Sequence, residues 1–376
     1  MTSAACIPAV STPLVPHLRT LAVRSLARMY LPEAGVFAFR LRRTAAGIVT
    51  EGRSLRYTAV ALIGLSTEEP IAAAIALAGQ SPHAVCDGLL RELPSMRNLG
   101  DVALTCWAAG ALRHPEAHRA AEALRRLAPE RGAHPTVELA WALSAAALDP
   151  EARLLELAHG LADRLIASLT EGCAVFPHVI GGDATLRAHV SCFADLVYPI
   201  QALSHLARVT GRADALQAAN RCAAHTCARQ GASGQWWWQY DRRTGAVIER
   251  FPVYAVHQDA MAPMALFALA DAGGDDHADA IRRGLRWLAC SPELDGGSLL
   301  DDAADILWRK VGRREPGKLS RYLQAGASRL HTRLRFPGLD QLLPPGAIDF
   351  EDRPYHLGWL LHAWPPARAA AMEITT

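Results

Sequence analysis

The chain has 376 residues, 51% of them apolar and 20% charged, with a formal net charge of +2. This is the balance of a globular chain able to bury a large core, and it excludes an electrostatic commitment to nucleic acid. Arginines are scattered among Asp and Glu along helical faces, and the one local cluster, Arg309, Arg313 and Arg314, reads as a solvated face.

Met1 to Pro16 lacks a basic stretch followed by an apolar core, and no uninterrupted apolar run reaches the length of a membrane span, so the expected location is cytoplasmic. Residues 1–15 are expected to be flexible. The eight cysteines occur singly, mostly within Ala/Leu-rich text and without His partners at zinc spacing, which suits buried thiols in a reducing compartment.

In chain order, the apolar spacing of three and four residues predicts helices of two alternating kinds. Pro16–Tyr30, Pro82–Leu93, Pro115–Leu127, Glu151–Leu169, Arg212–Gln230 and Asp276–Cys290 each carry a charged face. Arg56–Leu65, Leu99–Leu112, Pro135–Leu148, Phe193–Val209, Val256–Ala272 and Pro354–Trp364 are apolar almost all round and should be enclosed on both sides. Short connections make neighbours antiparallel, and each enclosed helix needs an outer cover. The expected fold is therefore all-α: a single domain over 1–376 of six helical hairpins in a closed ring, with an open superhelix as the alternative. The echo of Asp195–Leu203 in Met261–Leu266, each followed by a Gly turn and a covering helix, supports the repeat. Two departures are expected, a small β-hairpin near 235–250 and an irregular insertion over 295–350.

In such a ring the loops entering the inner helices meet at one mouth. The residues there are polar and aromatic: Arg53, Arg56 and Tyr57; Asn98 and Asp101; His134 and Glu138; His189, Ser191, Asp195 and Tyr198; Tyr254, His257, Gln258 and Asp259; Asp349, Glu351, Arg353, Tyr355 and His356. Helix N-termini there would favour hydroxyl-rich or anionic ligands. Helix capping by itself accounts for Asn98, Ser191 and Asp195 taken singly. It does not account for His257-Gln258-Asp259 beside Tyr254, or for Tyr355-His356 beside Arg353.

The segment Gly234-Gln-Trp236-Trp237-Trp238-Gln-Tyr240, running on through Arg250 to Tyr254, is the densest aromatic signal. In an extended stretch Trp236 and Trp238 share one side and Trp237 the other, with a turn at Asp241–Gly245 and a return strand at Ala246–Glu249. Indole faces flanked by Asp, Glu and Arg suit a sugar ring, and they equally suit a seal between hairpins. Asp301-Asp302-Ala-Ala-Asp305 has the aspartate spacing of a magnesium-diphosphate site but no second metal motif, and reads as a capped, solvated helix start.

The alternating helices, with Gly-Gln-Trp-Trp-Trp and the run Tyr254–Leu266, resemble the α/α-toroid superfamilies: six-hairpin glycosidases, N-acylglucosamine 2-epimerase-like enzymes and squalene-cyclase or prenyltransferase toroids. More narrowly, Arg56–Ala59, Val253–Leu266 and Arg353–Trp359 resemble an uncharacterised bacterial toroid family over most of the chain. The resemblance implies the fold and, more loosely, acid/base chemistry on glycans. The aspartate-rich acid motif of terpene cyclases is absent, and no Asp, Cys and His zinc set of the prenyltransferase kind is evident in the sequence.

The leading expectation is thus an enzyme acting on a sugar or uronic-acid-bearing glycan as hydrolase, lyase or epimerase, without metal or cofactor. His257 and Asp259 would do acid/base work, with His189 or His356 opposite. Trp236, Trp238, Tyr240 and Tyr254 would stack the ligand, and Arg56, Arg250 and Arg353 would grip a carboxylate or phosphate. Tyr57, Asp195, Tyr198, Gln258 and Tyr355 complete the expected binding set. The alternatives are an isoprenoid cyclase or transferase relative, whose cavity would be lined mainly by Phe, Leu and Trp, and a non-catalytic scaffold, whose polar mouth residues would pair off and leave no pocket. The expected ligand is a small molecule or glycan, and the sequence does not read out the oligomeric state.

Overall fold

The protein is described by a computed structural model covering residues 13–182, 187–317 and 319–371. In chain order its helices begin with α1 (Leu14–Met29), α2 (Leu55–Leu65), α3 (Pro70–Ala76), α4 (Pro82–Glu92), α5 (Leu99–Ala111) and α6 (Ala117–Arg126). There follow α7 (Thr136–Ala147), α8 (Leu155–Ser168), α9 (Ala194–Thr210), α10 (Ala213–Ala228), and α11 (Ala262–Asp271), which is entered through a π-helical turn at His257–Met261. The series ends with α12 (Ala278–Ala289), α13 (Leu319–Leu330), α14 (Leu339–Leu342), α15 (Pro354–Ala363) and α16 (Pro366–Ala371).

Six of these, α2, α5, α7, α9, α11 and α15, are buried almost throughout and pack in cyclic order, with α15 returning to α2. The ring is closed, as the alternation of enclosed and amphipathic helices predicts. Ser54 caps α2 and Asn98 caps α5 by accepting from Tyr57 N and Asp101 N, so for Asn98 capping holds. Outside, α4, α6, α8, α10 and α12 cover the inner layer, and α1 lies against α15 and α3.

Closure depends on two glycines. A Cβ built on Gly64 of α2 would lie 2.2 Å from the Gly358 carbonyl oxygen of α15, and one on Gly358 would lie 2.6 Å from the Val60 oxygen. The first and last inner helices meet backbone to backbone, which no side chain larger than hydrogen permits.

The expected hairpin near 235–250 exists: Gln239–Asp241 pairs antiparallel with Val247–Glu249, and Val190–Cys192 adds a third strand. Strand content elsewhere exceeds the expectation. Arg40–Thr44 and Gly47–Glu51 form a hairpin that also pairs with Glu351–Asp352, and Lys310–Arg313 sits between Val253–Tyr254 and Pro345–Asp349. These short sheets roof the ends of α15 and the π turn.

Three local expectations are corrected, and a fourth lies mostly outside the described residues. Residues 295–350 are not wholly irregular, since they hold α13, α14 and paired strands. The stretch 1–15 falls mostly outside the described residues, and α1 already begins at Leu14. Asp301 ends the strand Leu300–Asp301, and Asp302 and Asp305 lie in the turn between it and Ile306–Leu307, not at a helix start; the three accept from Arg43, His17 and Arg24 respectively, at 2.8, 2.7 and 3.3 Å. The arginine cluster is only partly a solvated face: Arg314 is exposed, but Arg313 is buried on Glu249 at 3.0 Å, and Arg309 turns inward. Cys86, Cys106, Cys173, Cys192, Cys222 and Cys227 are free thiols, the first three and Cys222 buried. Among the described residues no helix is long and apolar enough to cross a membrane.

Candidate functional site

A cavity of about 280 Å³ opens on the ring axis at the N-terminal ends of the inner helices. Tyr57 and Val60 of α2, Val137 and Trp141 of α7, Ala194 and Tyr198 of α9, His257 and Met261 of the π turn, and Tyr355 and Trp359 of α15 form its wall. Each pair is three or four residues apart, so each helix presents one stripe to the axis. That five elements contribute their first turns to one pocket means that the inner helices run in the same direction. Arg56, Trp238, Tyr254, Arg309 and Arg353 complete the lining. Beneath it the axis is filled by Trp107 against Trp359, His205 and His362, at centroid distances of 5.4–6.0 Å.

His257 is buried, its ring 4.4 Å from Phe193 and 4.9 Å from Tyr254. Burial pushes its imidazole down to about 3, so it is neutral, and its Nδ1 has no hydrogen-bond partner. The π turn shifts the helix register at this residue, a distortion that recurs at functional sites. Burial holds the phenols protonated, Tyr355 being pushed up to about 12 and Tyr254 and Tyr198 also raised.

Three guanidinium groups line the pocket, each backed by carboxylates. Arg56 donates to Asp101 at 2.7 Å and to Asn98 at 2.6 Å, with Glu138 at 3.7 Å, and lies over Trp141. Arg353 donates to Glu351 at 2.8 Å and to the Tyr57 hydroxyl at 3.2 Å. Arg309 donates to Asp349 and Glu351 at 3.3 and 3.2 Å, lies against the Tyr254 ring, and keeps its Nε without a partner. Burial works against the Arg309 charge, but the Asp349 and Glu351 carboxylates beside it favour the charged form. Among the described residues lining the cavity there is no carboxylate.

Of the expected site residues, the structure brings Arg56, Tyr57, Tyr198, Trp238, Tyr254, His257, Arg353 and Tyr355 together. The others lie elsewhere. Asp259 and His356 point behind the wall, where His356 Nε2 lies 2.9 Å from both Asp259 carboxylate oxygens. Asp352, held by Ser25 at 2.8 Å, is the next carboxylate. Burial pulls both partners toward neutrality, Asp259 upward and His356 downward; the short contacts and the second carboxylate prevail at His356, and we read it as an imidazolium. His189 packs under α13, its Nε2 3.0 Å from Ser328 Oγ. Trp236 is fully buried on Phe193, and Tyr240 is buried with its hydroxyl unpartnered. Gln258 accepts from Trp236 N and donates to the Tyr254 carbonyl, tying the aromatic segment to the π turn. Arg250 is exposed, 5.6 Å from the Trp237 ring. Asp195 is buried, accepting from His178 and from Cys192 N. Trp141, Trp359 and Arg309 were not singled out as site residues.

No protein-family model and no curated protein matches the sequence. Solved structures match the shape. An unsaturated glucuronyl hydrolase specific for heparin superposes with a TM-score of 0.60 at 12% identity, covering 96% of this chain and 99% of that one. An unsaturated glucuronyl hydrolase responsible for the degradation of glycosaminoglycan, from a Bacillus species, gives 0.56 at 15%, covering 93% and 95%. A cellobiose 2-epimerase from Bacillus thermoamylovorans gives 0.60 at 10%, covering 94% and 99%. The fold is an α/α toroid. The toroid expected from the alternating helices is therefore the one found, over nearly the whole length of each neighbour, and at these identities the likeness is one of fold.

Proposed function

We propose that this toroid is a sugar-active enzyme that moves a proton at a carbon beside a carbonyl or carboxylate of an anionic sugar, as an epimerase or lyase. The observation that carries this reading is the lining of the axial cavity: seven aromatic rings, three guanidinium groups and one neutral imidazole. Aromatic faces stack the C–H surface of a sugar ring, and guanidinium groups bind a carboxylate through paired hydrogen bonds. At about 280 Å³ the cavity is at the small end of ligand sites, which suits one or two sugar rings.

His257 is the base in this reading. Its neutral form is the one that accepts a proton, and the negative charge of a bound substrate raises its affinity for that proton. Arg309 and Arg353 stabilise the charge that develops on the substrate oxygen, and a protonated phenol, Tyr254 or Tyr355, serves as the donor. The fold carries sugar-active enzymes in the three neighbours named above, which agrees with this assignment. An isoprenoid cavity would be walled by Phe, Leu and Trp, yet no Phe or Leu is among the lining residues. A scaffold would have its mouth residues fully paired off; many do pair, but the pocket remains open.

One observation favours a second reading, hydrolysis. Asp101 and Glu138, from the openings of α5 and α7, both lie on Arg56 at the mouth, where a substrate engaging Arg56 would free two carboxylates for acid and base roles. The test is incubation with reducing sugars, uronic acids, their glycosides and sugar phosphates in deuterated water. Epimerisation incorporates deuterium at carbon and elimination leaves an unsaturated, ultraviolet-absorbing sugar; His257→Ala reduces either signal by about 10²–10⁴-fold. Glycosidic cleavage with neither carbon-bound deuterium nor an unsaturated product, lost in Asp101→Asn or Glu138→Gln and kept in His257→Ala, would establish hydrolysis instead.

A further inference from the structure

Beside the axial cavity, and sharing Trp238 with it, lies a groove of about 690 Å³ whose lining includes His178, Cys192, Arg187, Gln239 and Arg321. At one end a ring nitrogen of His178, the sulfur of Cys192 and a carboxylate oxygen of Asp195 all lie within 4.8 Å of one another. We propose that these three side chains form a binding site for a zinc-like divalent cation, with a further coordination position open to the groove.

The argument is one of donor chemistry and placement. Imidazole, thiolate and carboxylate together make a mixed N, S and O set that suits Zn²⁺ or Co²⁺ and is too soft for Mg²⁺ or Ca²⁺. Cys192 ends the strand Val190–Cys192 and Asp195 opens α9, so the two stand three residues apart across a rigid junction. Asp195 is buried and its carboxylate accepts from the Cys192 backbone N–H at 2.8 Å, which fixes the carboxylate beside the sulfur. His178 comes from the loop before the strand Val179–Ile180, is exposed, and holds Asp195 through Nδ1 at 3.0 Å, the place a cation would take between them.

Tetrahedral zinc holds its ligand atoms roughly 3.3–3.7 Å apart, given metal–ligand distances of about 2.0–2.3 Å. With the three donor atoms already within 4.8 Å of one another, reaching that spacing needs a movement of at most about 1.5 Å, and His178, exposed on its loop, is the residue free to make it. Three protein ligands leave the fourth position to water or to a group bound in the groove, as open rather than closed zinc sites do. The proposal does not depend on the sugar reading, since its test reads metal and not turnover.

The full-length protein, stripped with a chelator, is titrated with Co²⁺ while the thiolate-to-cobalt charge-transfer absorption is recorded. The expected result is a band that saturates at one equivalent, vanishes in Cys192→Ser and persists in Cys227→Ser. His178→Ala, its folded state checked by circular dichroism because Asp195 loses a partner, should weaken Co²⁺ binding by more than the roughly 10–100-fold that loss of a metal-site supporting residue costs. No band with excess Co²⁺, or a band of undiminished amplitude in Cys192→Ser, overturns the site. So does a His178→Ala protein that binds Co²⁺ as tightly as the parent chain.

Discussion

His257 and Asp259 stand two residues apart in the sequence and do unlike things. Successive residues of a helix point about 100° apart, so when His257 looks down the ring axis Asp259 faces away, into the wall. An offset of a single residue, about 100°, separates Tyr355, in the cavity, from His356, behind it. Substitution should therefore split the two roles. Asp259→Ala leaves the His356 imidazolium without its partner in a dry interior, and a loss of about 3–5 kcal/mol in urea melts is expected. His257→Ala removes a neutral ring and should cost turnover while leaving a folded ring. A stable Asp259→Ala protein would mean that His356 is neutral and the pair is not ionic. Sequence patterning found the mouth residues because they break an apolar text, but Trp141 and Trp359 lie a turn deeper in helices that are apolar all round. Nothing in such a helix marks the stripe that meets the axis. Arg309 was passed over because a cluster of arginines reads as solvated until Asp349 and Glu351 are brought beside it.

At the scale of elements, the contact between α2 and α15 closes the ring, and its two glycines are its chemical signature. Gly358→Ala would gain up to about 1 kcal/mol of helix propensity. It would also force a Cβ to within 2.6 Å of the Val60 carbonyl, which rigid backbone on both sides cannot relieve. Overpacking of this kind costs about 1–3 kcal/mol or more, so the net effect expected in urea melts is destabilising. A neutral or stabilising result would mean that the two helices stand further apart than described here. The helices themselves were legible from periodicity to within a few residues, as Pro354–Trp364 against the observed Pro354–Ala363 illustrates. Less legible were α13 and the three-stranded sheet through Lys310–Arg313, whose strands come from segments far apart in the chain and carry no local turn signal.

For the whole molecule, acid should be the sensitive direction. His257 and His205 are lowered to about 3 and His362 to about 4, in each case mainly by burial. The native state keeps these rings neutral while the unfolded chain protonates them below about 6.5, so stability is lost as pH falls from there toward about 3. At pH 5 each ring contributes a loss of about 2 kcal/mol. Asp352, pushed up to about 6 by burial, works the other way and returns about 1 kcal/mol at the same pH. His356, held above its ordinary value, also favours the acid side. Urea midpoints at pH 7 and pH 5 should differ by a net loss of several kcal/mol; equal midpoints would show that these rings are hydrated.

The sequence by itself determined the helices, their sorting into enclosed and covering kinds, and the ring they build, because burial is written into residue spacing. It also placed polar groups where inner helices begin. Only the tertiary structure decided which of those groups face the axis, since a rotation of one or two residues along a helix exchanges cavity for wall. It alone joined His178 to Cys192 and Asp195, and Arg309 to Tyr254, because distance in space between loops is set by ring closure and not by separation along the chain.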